Sequence, residues 1–136
     1  MTSATAPRLP GRTVLKSHSL PAPRFRYSPI VRGAGCIYVS GLVGLDPATG
    51  ALADGAAAQT RQVLDNFLAL CREHGWRLDQ LLQARVYCSP AASTADVNAA
   101  WNDAFAHVEP PARTFVTAHA LPLDAAVEIE FVLIDA

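Results

Sequence analysis

Arg113, Glu128 and Glu130 are the side chains whose types and settings could do chemistry. Arg113 follows Pro110-Pro111-Ala112, which fixes the approach of the chain, and it opens a run of strand-forming residues. A guanidinium on so rigid an element suits bidentate capture of a small carboxylate. On position alone, a surface arginine or a structural ion pair is the commoner role. Val127-Glu-Ile-Glu-Phe131 alternates, so Val127, Ile129 and Phe131 should face a core. Both glutamates then share the opposite face, roughly 7 Å apart along the strand. One could pair with a cation while the other orients a water, although an ordinary solvent-facing strand is the commoner arrangement. Cys36, Cys71 and Cys88 fall on apolar patterns, where inert buried thiols are usual. His18, His74, His107 and His119 are scattered without a metal-binding grouping, so no metal site is expected. No phosphate-cradling glycine motif and no nucleophile elbow occur. Gly41-Leu-Val-Gly44 reads as no more than a bend after a strand.

The elements that would position these residues follow from periodicity. Residues 1–11 read as a flexible tail, and Arg12 to Ser17 as a weak first strand. Pro21, Pro23 and Pro29 keep residues 20–29 extended or irregular. Cys36 to Ser40 is rich in β-formers and framed by Gly33, Gly35 and Gly41. Asp46-Pro-Ala-Thr-Gly50 has turn chemistry. Residues 57–74 predict a helix with Val63, Leu64, Phe67, Leu68, Leu70 and Cys71 on its apolar face, and Asp65 and Asn66 on the polar one. Gly75 is its expected C-terminal cap. Leu82 to Cys88 alternates as a half-buried strand. Ser93 or Thr94 can cap a second helix carrying Val97, Trp101 and Phe105, which Pro110-Pro111 ends. Strands near 112–117 and 126–134 close the chain.

This order predicts an α+β domain with a mixed sheet and two helices on one face. The other sheet face must be polar or meet another subunit, with Tyr38, Tyr87, Ile30 and Leu42 as candidates for it. A chain of 136 residues, 51% of them apolar, is one domain able to bury a core. Its net charge of −1 provides no global field toward nucleic acid or membrane. Six of the eleven basic residues lie in the first 45 positions, which hold no acid. Such a basic third could line an anion site or an interface, or be a solvated arm. No apolar stretch reaches membrane-spanning length, and Met1 to Arg12 has no apolar signal core, so a cytoplasmic location is expected.

Several motifs then occur in a fixed order: Tyr27-Ser-Pro, Val39-Ser-Gly, Asp46-Pro-Ala-Thr-Gly, Gln59-Thr-Arg with Leu64-Asp-Asn, Val97-Asn, Pro111-Ala-Arg-Thr, Leu121-Pro and Val127-Glu-Ile-Glu. Over about residues 25–134 this combination resembles the reactive-intermediate deaminase (Rid, YjgF-type, endoribonuclease L-PSP-like) family. The resemblance implies a single chorismate-mutase-like α+β domain, assembled as a homotrimer around a central β-barrel, with ligands bound between subunits. It implies hydrolysis of enamines and imines, such as 2-aminoacrylate, to 2-keto acids and ammonia, without metal or organic cofactor. Arg113 matches the family arginine that grips the substrate carboxylate, and Glu128 the carboxylate that positions water. Tyr27 matches an aromatic that closes the pocket. Asn98 matches a position at the start of the second helix whose role is structural. Phe115 and Leu42 stand where many members carry a small and a polar residue, which implies a more apolar pocket suited to a larger imine. A specialised catabolic deaminase of the aminomuconate type, or a trimer that binds a small carboxylate without turnover, are the alternatives. No nucleic acid or membrane partner is implied.

Overall fold

The computed structural model describes residues 11–136. The expected tail at 1–11 therefore lies outside the described residues, except for Gly11. Six strands and two helices follow in the order β1 (Thr13–Leu15), β2 (Ile30–Gly33), β3 (Cys36–Val43), α1 (Gly55–His74), β4 (Leu81–Cys88), α2 (Thr94–Ala104), β5 (Ala112–Thr117) and β6 (Val127–Ile134). They build one mixed sheet of spatial order β1-β2-β3-β6-β4-β5. β4 and β5 are parallel neighbours joined through α2, while β6 runs antiparallel between β3 and β4. The α+β reading of the sequence holds.

Strand β2 was not expected. It is made by a two-residue hairpin in which Ala34 and Gly35 both have positive φ, 52° and 76°. That is the turn geometry whose twist matches paired strands. The glycines flanking Cys36 are its trace in the sequence.

Both helices seal the same face of the sheet. Phe67 of α1 stacks on Phe131 of β6 with ring centroids 3.9 Å apart. Val63, Leu64, Leu70 and Cys71 join Val97 and Trp101 of α2 in the same core. Burial pushes the Cys71 thiol up to about 11, despite the neighbouring Arg72, and raises Cys88 as well. Both are buried and free. Asn66, expected on the polar side of α1, is instead buried. Its amide donates to the Leu45 carbonyl at 2.8 Å and accepts from Gln62 at 2.8 Å, which satisfies a polar group inside the core. Gly75 caps α1 in the left-handed conformation, and the Ser93 hydroxyl accepts from the Asp96 N–H at the start of α2.

The uncovered face carries Val31, Tyr38 and Val132 in one cross-strand row, and Arg85, Tyr87, Glu128 and Glu130 in the next rows. Ile30 and Leu42 do not belong to it, for both are buried on the helix side. Ile30 lies opposite Val39, and directly paired residues point the same way. Leu42 is turned inward by a bulge: β3 advances from Val39 to Leu42 while β6 advances only from Phe131 to Ile129.

The segment before β2 is tied to the end of α1 by one carboxylate. Glu73 Oε1 accepts from the hydroxyls of Ser17 and Ser19 at 3.0 and 2.6 Å, and from the N–H groups of His18 and Ser19 at 3.1 and 2.9 Å. Desolvation raises its pKa, but these hydrogen bonds outweigh it and hold the carboxyl below its ordinary value. A depressed carboxyl pKa stabilises the fold above the unfolded pKa, and that gain is lost as pH falls through the folded value. Glu73→Ala should cost about 1–3 kcal/mol at neutral pH. Urea unfolding of both proteins checks this, and their difference should shrink on acidification below the ordinary carboxylate range.

Candidate active site

A cavity of about 360 Å³ opens where the irregular segment, the bulge of β3 and the start of β6 meet. Its walls include Arg24, Phe25, Tyr27, Gly41, Leu123 and Glu128. The bulge places Ser40 so that its hydroxyl donates to the Ser28 carbonyl at 2.7 Å, while its N–H donates to the Pro29 carbonyl at 2.8 Å. These bonds hold the chain just after Tyr27 against the sheet. Gly41 leaves the space that the Glu128 carboxylate occupies: a Cβ at residue 41 would sit 2.7 Å from Glu128 Oε1. Gly44 permits a second close approach, since its Cβ would lie 2.7 Å from the Gln59 backbone at the start of α1. The two glycines of Gly41-Leu-Val-Gly44 thus do more than bend the chain.

The two strand carboxylates have separate environments. Glu130 accepts from the Tyr87 hydroxyl at 2.5 Å and lies 3.5 Å from the Arg85 guanidinium. That bond to Glu130 is the main cause of a raised Tyr87 pKa. Glu128 is half-buried and makes no side-chain hydrogen bond or ion pair among the described residues. Desolvation, and then the negative charge of Glu130, raise its pKa above the ordinary value. One acid is thus paired and the other is left without a side-chain partner among the described residues.

Arg113 stands elsewhere. It pairs with Ala84 of β4, whose side chain is buried under the helices, so it occupies the helix side of the edge strand β5. Its Nη1 donates to Asn98 Oδ1 on α2 at 2.9 Å, and its guanidinium lies 5.1 Å from the Trp101 ring centroid and 5.2 Å from that of Phe115. Among the described residues it forms no ion pair. The cation is held by an amide and two rings, and its charge is left uncompensated. Asn98 therefore positions Arg113, and Phe115 packs beneath it.

Tyr27 and Glu128 share the cavity, whereas Arg113, Asn98 and Phe115 share the outer edge of α2 and β5. Two strand spacings and three residues along the strands separate Arg113 from Glu128, roughly 14 Å, and they lie on opposite faces. One chain does not unite them. Leu42 lies along the cavity but is mostly committed to the core. Sequence reasoning missed Arg24, Phe25 and Leu123, because an irregular proline-rich stretch and a short turn carry no periodicity to reveal where they face. Arg24 is held by the Asp46–Gly50 turn, donating from Nη2 to the Gly50 carbonyl at 2.9 Å. Among the described residues no cluster of His, Cys, Asp or Glu could hold a metal, and no helix is long and apolar enough to cross a membrane.

Residues 17–134 match the family model described as endoribonuclease L-PSP. The chain belongs to the Rid, or endoribonuclease L-PSP, family. It is 32% identical over 121 residues to a RutC family protein of Aquifex aeolicus, covering 88% of this chain and 97% of that one. It is 32% identical over 111 residues to the 2-iminobutanoate/2-iminopropanoate deaminase of Salmonella typhimurium, covering 78% and 87%. The crystal structure of RidA from an Antarctic Psychrobacter superimposes with a TM-score of 0.83 at 31% identity, over 90% of this chain and 99% of that one. The six-stranded mixed sheet with two helices is thus the fold of Rid-family structures.

The Gly41–Glu128 contact gives a direct test of the cavity. Gly41→Ala should keep the fold, because the obstructing atoms are a side-chain end, but should displace the carboxylate. Whatever activity depends on Glu128 should fall at least about tenfold, since catalytic groups tolerate displacements well below 1 Å. Circular dichroism and kinetics on the variant separate the two effects.

Proposed function

We propose that this protein hydrolyses 2-imino acids, and the enamines that tautomerise to them, to 2-keto acids and ammonia. The observation that carries this reading is Glu128: a half-buried carboxylate without a partner among the described residues, in a cavity with Tyr27, in a chain that belongs to the Rid family. The relative named as a 2-iminobutanoate/2-iminopropanoate deaminase supports the reaction class.

The chemistry is economical. The imine carbon is already electrophilic. Glu128 accepts a proton from water as its oxygen adds to that carbon, and the nitrogen takes up a proton. The carbinolamine then collapses: the C–N bond breaks, ammonia leaves, and the hydroxyl becomes the keto oxygen. An imine and one water give one keto acid and one ammonia. A carboxyl pKa raised by burial and by Glu130 makes the carboxylate a better proton acceptor than an ordinary one.

The substrate carboxylate needs a cation, and we assign Arg113 of a second copy to it. Arg113 is oriented by Asn98, Trp101 and Phe115 yet has no acid of its own, and β5 is an open sheet edge next to it. In this reading the chain assembles as a homotrimer with a central barrel, and each site joins the Tyr27–Glu128 cavity of one copy to the Arg113 edge of the next. Packing the uncovered sheet faces into such a barrel would also cover the exposed Tyr38.

Complementation tests the arrangement. Arg113→Ala and Glu128→Gln should each reduce imine hydrolysis at least about a hundredfold. Co-refolded in equal amounts, they should regain about a quarter of wild-type activity, because random assortment leaves that share of intersubunit sites intact. A site contained in one chain would regain none. The pH profile tests the base. The acid limb of kcat/KM should lie above the ordinary carboxylate range, and Glu130→Gln, which removes the neighbouring negative charge, should move it to lower pH.

A further inference from the structure

Two unusual features converge on the mouth of the cavity. Phe25, Tyr27 and Leu123 are three of the large apolar side chains that the described chain leaves exposed, at 69%, 48% and 38%. All three line the same cavity. The second feature is backbone strain. Leu123 (φ 59°, ψ 23°) and Asp124 (φ 57°) occupy the left-handed region in succession, in the short turn between β5 and β6. A leucine pays a steric penalty there that glycine or asparagine largely escapes. Such strain persists where the surroundings fix it, and it clusters where a side chain must be aimed. Here it aims Leu123 at the cavity, next to Pro122.

The rest of the wall has the same character. Leu42 and Leu45 back the cavity, and Pro21 and Ala22 complete its apolar rim. Arg24 is the one cation lining it among the described residues, and one of its donors already serves Gly50. Phe115 lies under Arg113 and lines no part of this cavity within one chain, so the apolar wall that one chain supplies comes from Phe25, Leu123 and their neighbours.

We infer that Phe25 and Leu123 form an apolar side-chain subsite, which makes Leu123 a specificity-determining residue and selects 2-imino acids with branched or aromatic side chains over the two- and three-carbon kinds. The inference rests on the deaminase reading. The reaction itself is unchanged; only the substrate group that fills the subsite is assigned. Contact with a few buried methyl and methylene groups is worth about tenfold or more in kcat/KM.

The test is a competition for imines generated in situ. Amino-acid oxidases release the imines of alanine, leucine, phenylalanine and aspartate, and semicarbazide traps whatever the protein leaves. Wild type should prefer the leucine- and phenylalanine-derived imines to the alanine-derived one by about tenfold or more. Leu123→Asn, which suits the left-handed backbone and should fold at least as well, should lower that preference ratio about tenfold. Leu123→Met should preserve the ratio. A ratio near one in wild type, or a ratio unmoved by Leu123→Asn, overturns the subsite while the deaminase reading stands. Preference for the aspartate-derived imine also overturns it and assigns the distal group to Arg24. Failure of wild type to hydrolyse any of the four overturns the deaminase reading itself.

Discussion

Between Val39 and Leu42, strand β3 spends one residue more than its partner β6. The extra residue breaks the simple alternation of side chains, and the cavity is built around that break. Before it, Ile37 and Val39 face the helices; after it, Leu42 does so again, although period-two counting sends it the other way. The residues inside the bulge are Ser40 and Gly41. Ser40 fixes the incoming segment beside Tyr27 through Ser28 and Pro29. Gly41 has no side chain, so the Glu128 carboxylate can lie against the β3 backbone. Any larger residue there competes with the acid for the same space.

The same sheet explains why the candidate residues fall into two separate groups. Two helices can shield one face only, and here both α1 and α2 do so. The open face receives Glu128 and Glu130, and the helix side of the edge strand receives Arg113. Strand alternation therefore keeps the acid and the cation apart within one chain, however the loops are arranged. Each half is locally well organised. Arg113 is held by three neighbours that fix its direction, and Glu130 engages Tyr87 and Arg85 while Glu128 has no partner among the described residues.

Regular elements were legible in the sequence, and irregular ones were not. The α1 stripe, the alternation of β4 and β6, the Ser93 cap and the Gly75 stop all depend on short-range patterns that the structure keeps. The opposite faces of Val127-Glu-Ile-Glu-Phe131 followed from period two alone. Ile30 and Leu42 were misassigned because facing depends on register, and register is set by a partner strand and a bulge that one strand's sequence does not display. Asn66 was misassigned because a polar residue can be buried once its amide finds the Leu45 carbonyl, which lies 21 residues away in sequence. Arg113, Glu128, Tyr27 and Asn98 were legible as an ordered motif set. That Arg113 belongs with Asn98, Trp101 and Phe115 rather than with Glu128 required the topology. Phe25 and Leu123 lie in segments where proline content and turn strain, not periodicity, decide direction.

Glu128 shows what such an arrangement costs. A half-buried carboxylate without a hydrogen bond gives up solvation and gains nothing from its neighbours in return. Glu130 nearby worsens the balance through like charge. A protein optimised for stability alone would turn Glu128 to solvent or give it the cation, and Arg85 is on the same face to serve. Instead Arg85 and Tyr87 both go to Glu130. The pairing is therefore asymmetric: one acid is satisfied twice over, and its neighbour two residues away is left to water or ligand. Residual charge kept poorly solvated inside a shaped cavity is what the proposed proton acceptor requires. The same asymmetry makes Glu130 more than a bystander, since its occupied carboxylate both raises the affinity of Glu128 for a proton and keeps Arg85 from quenching it.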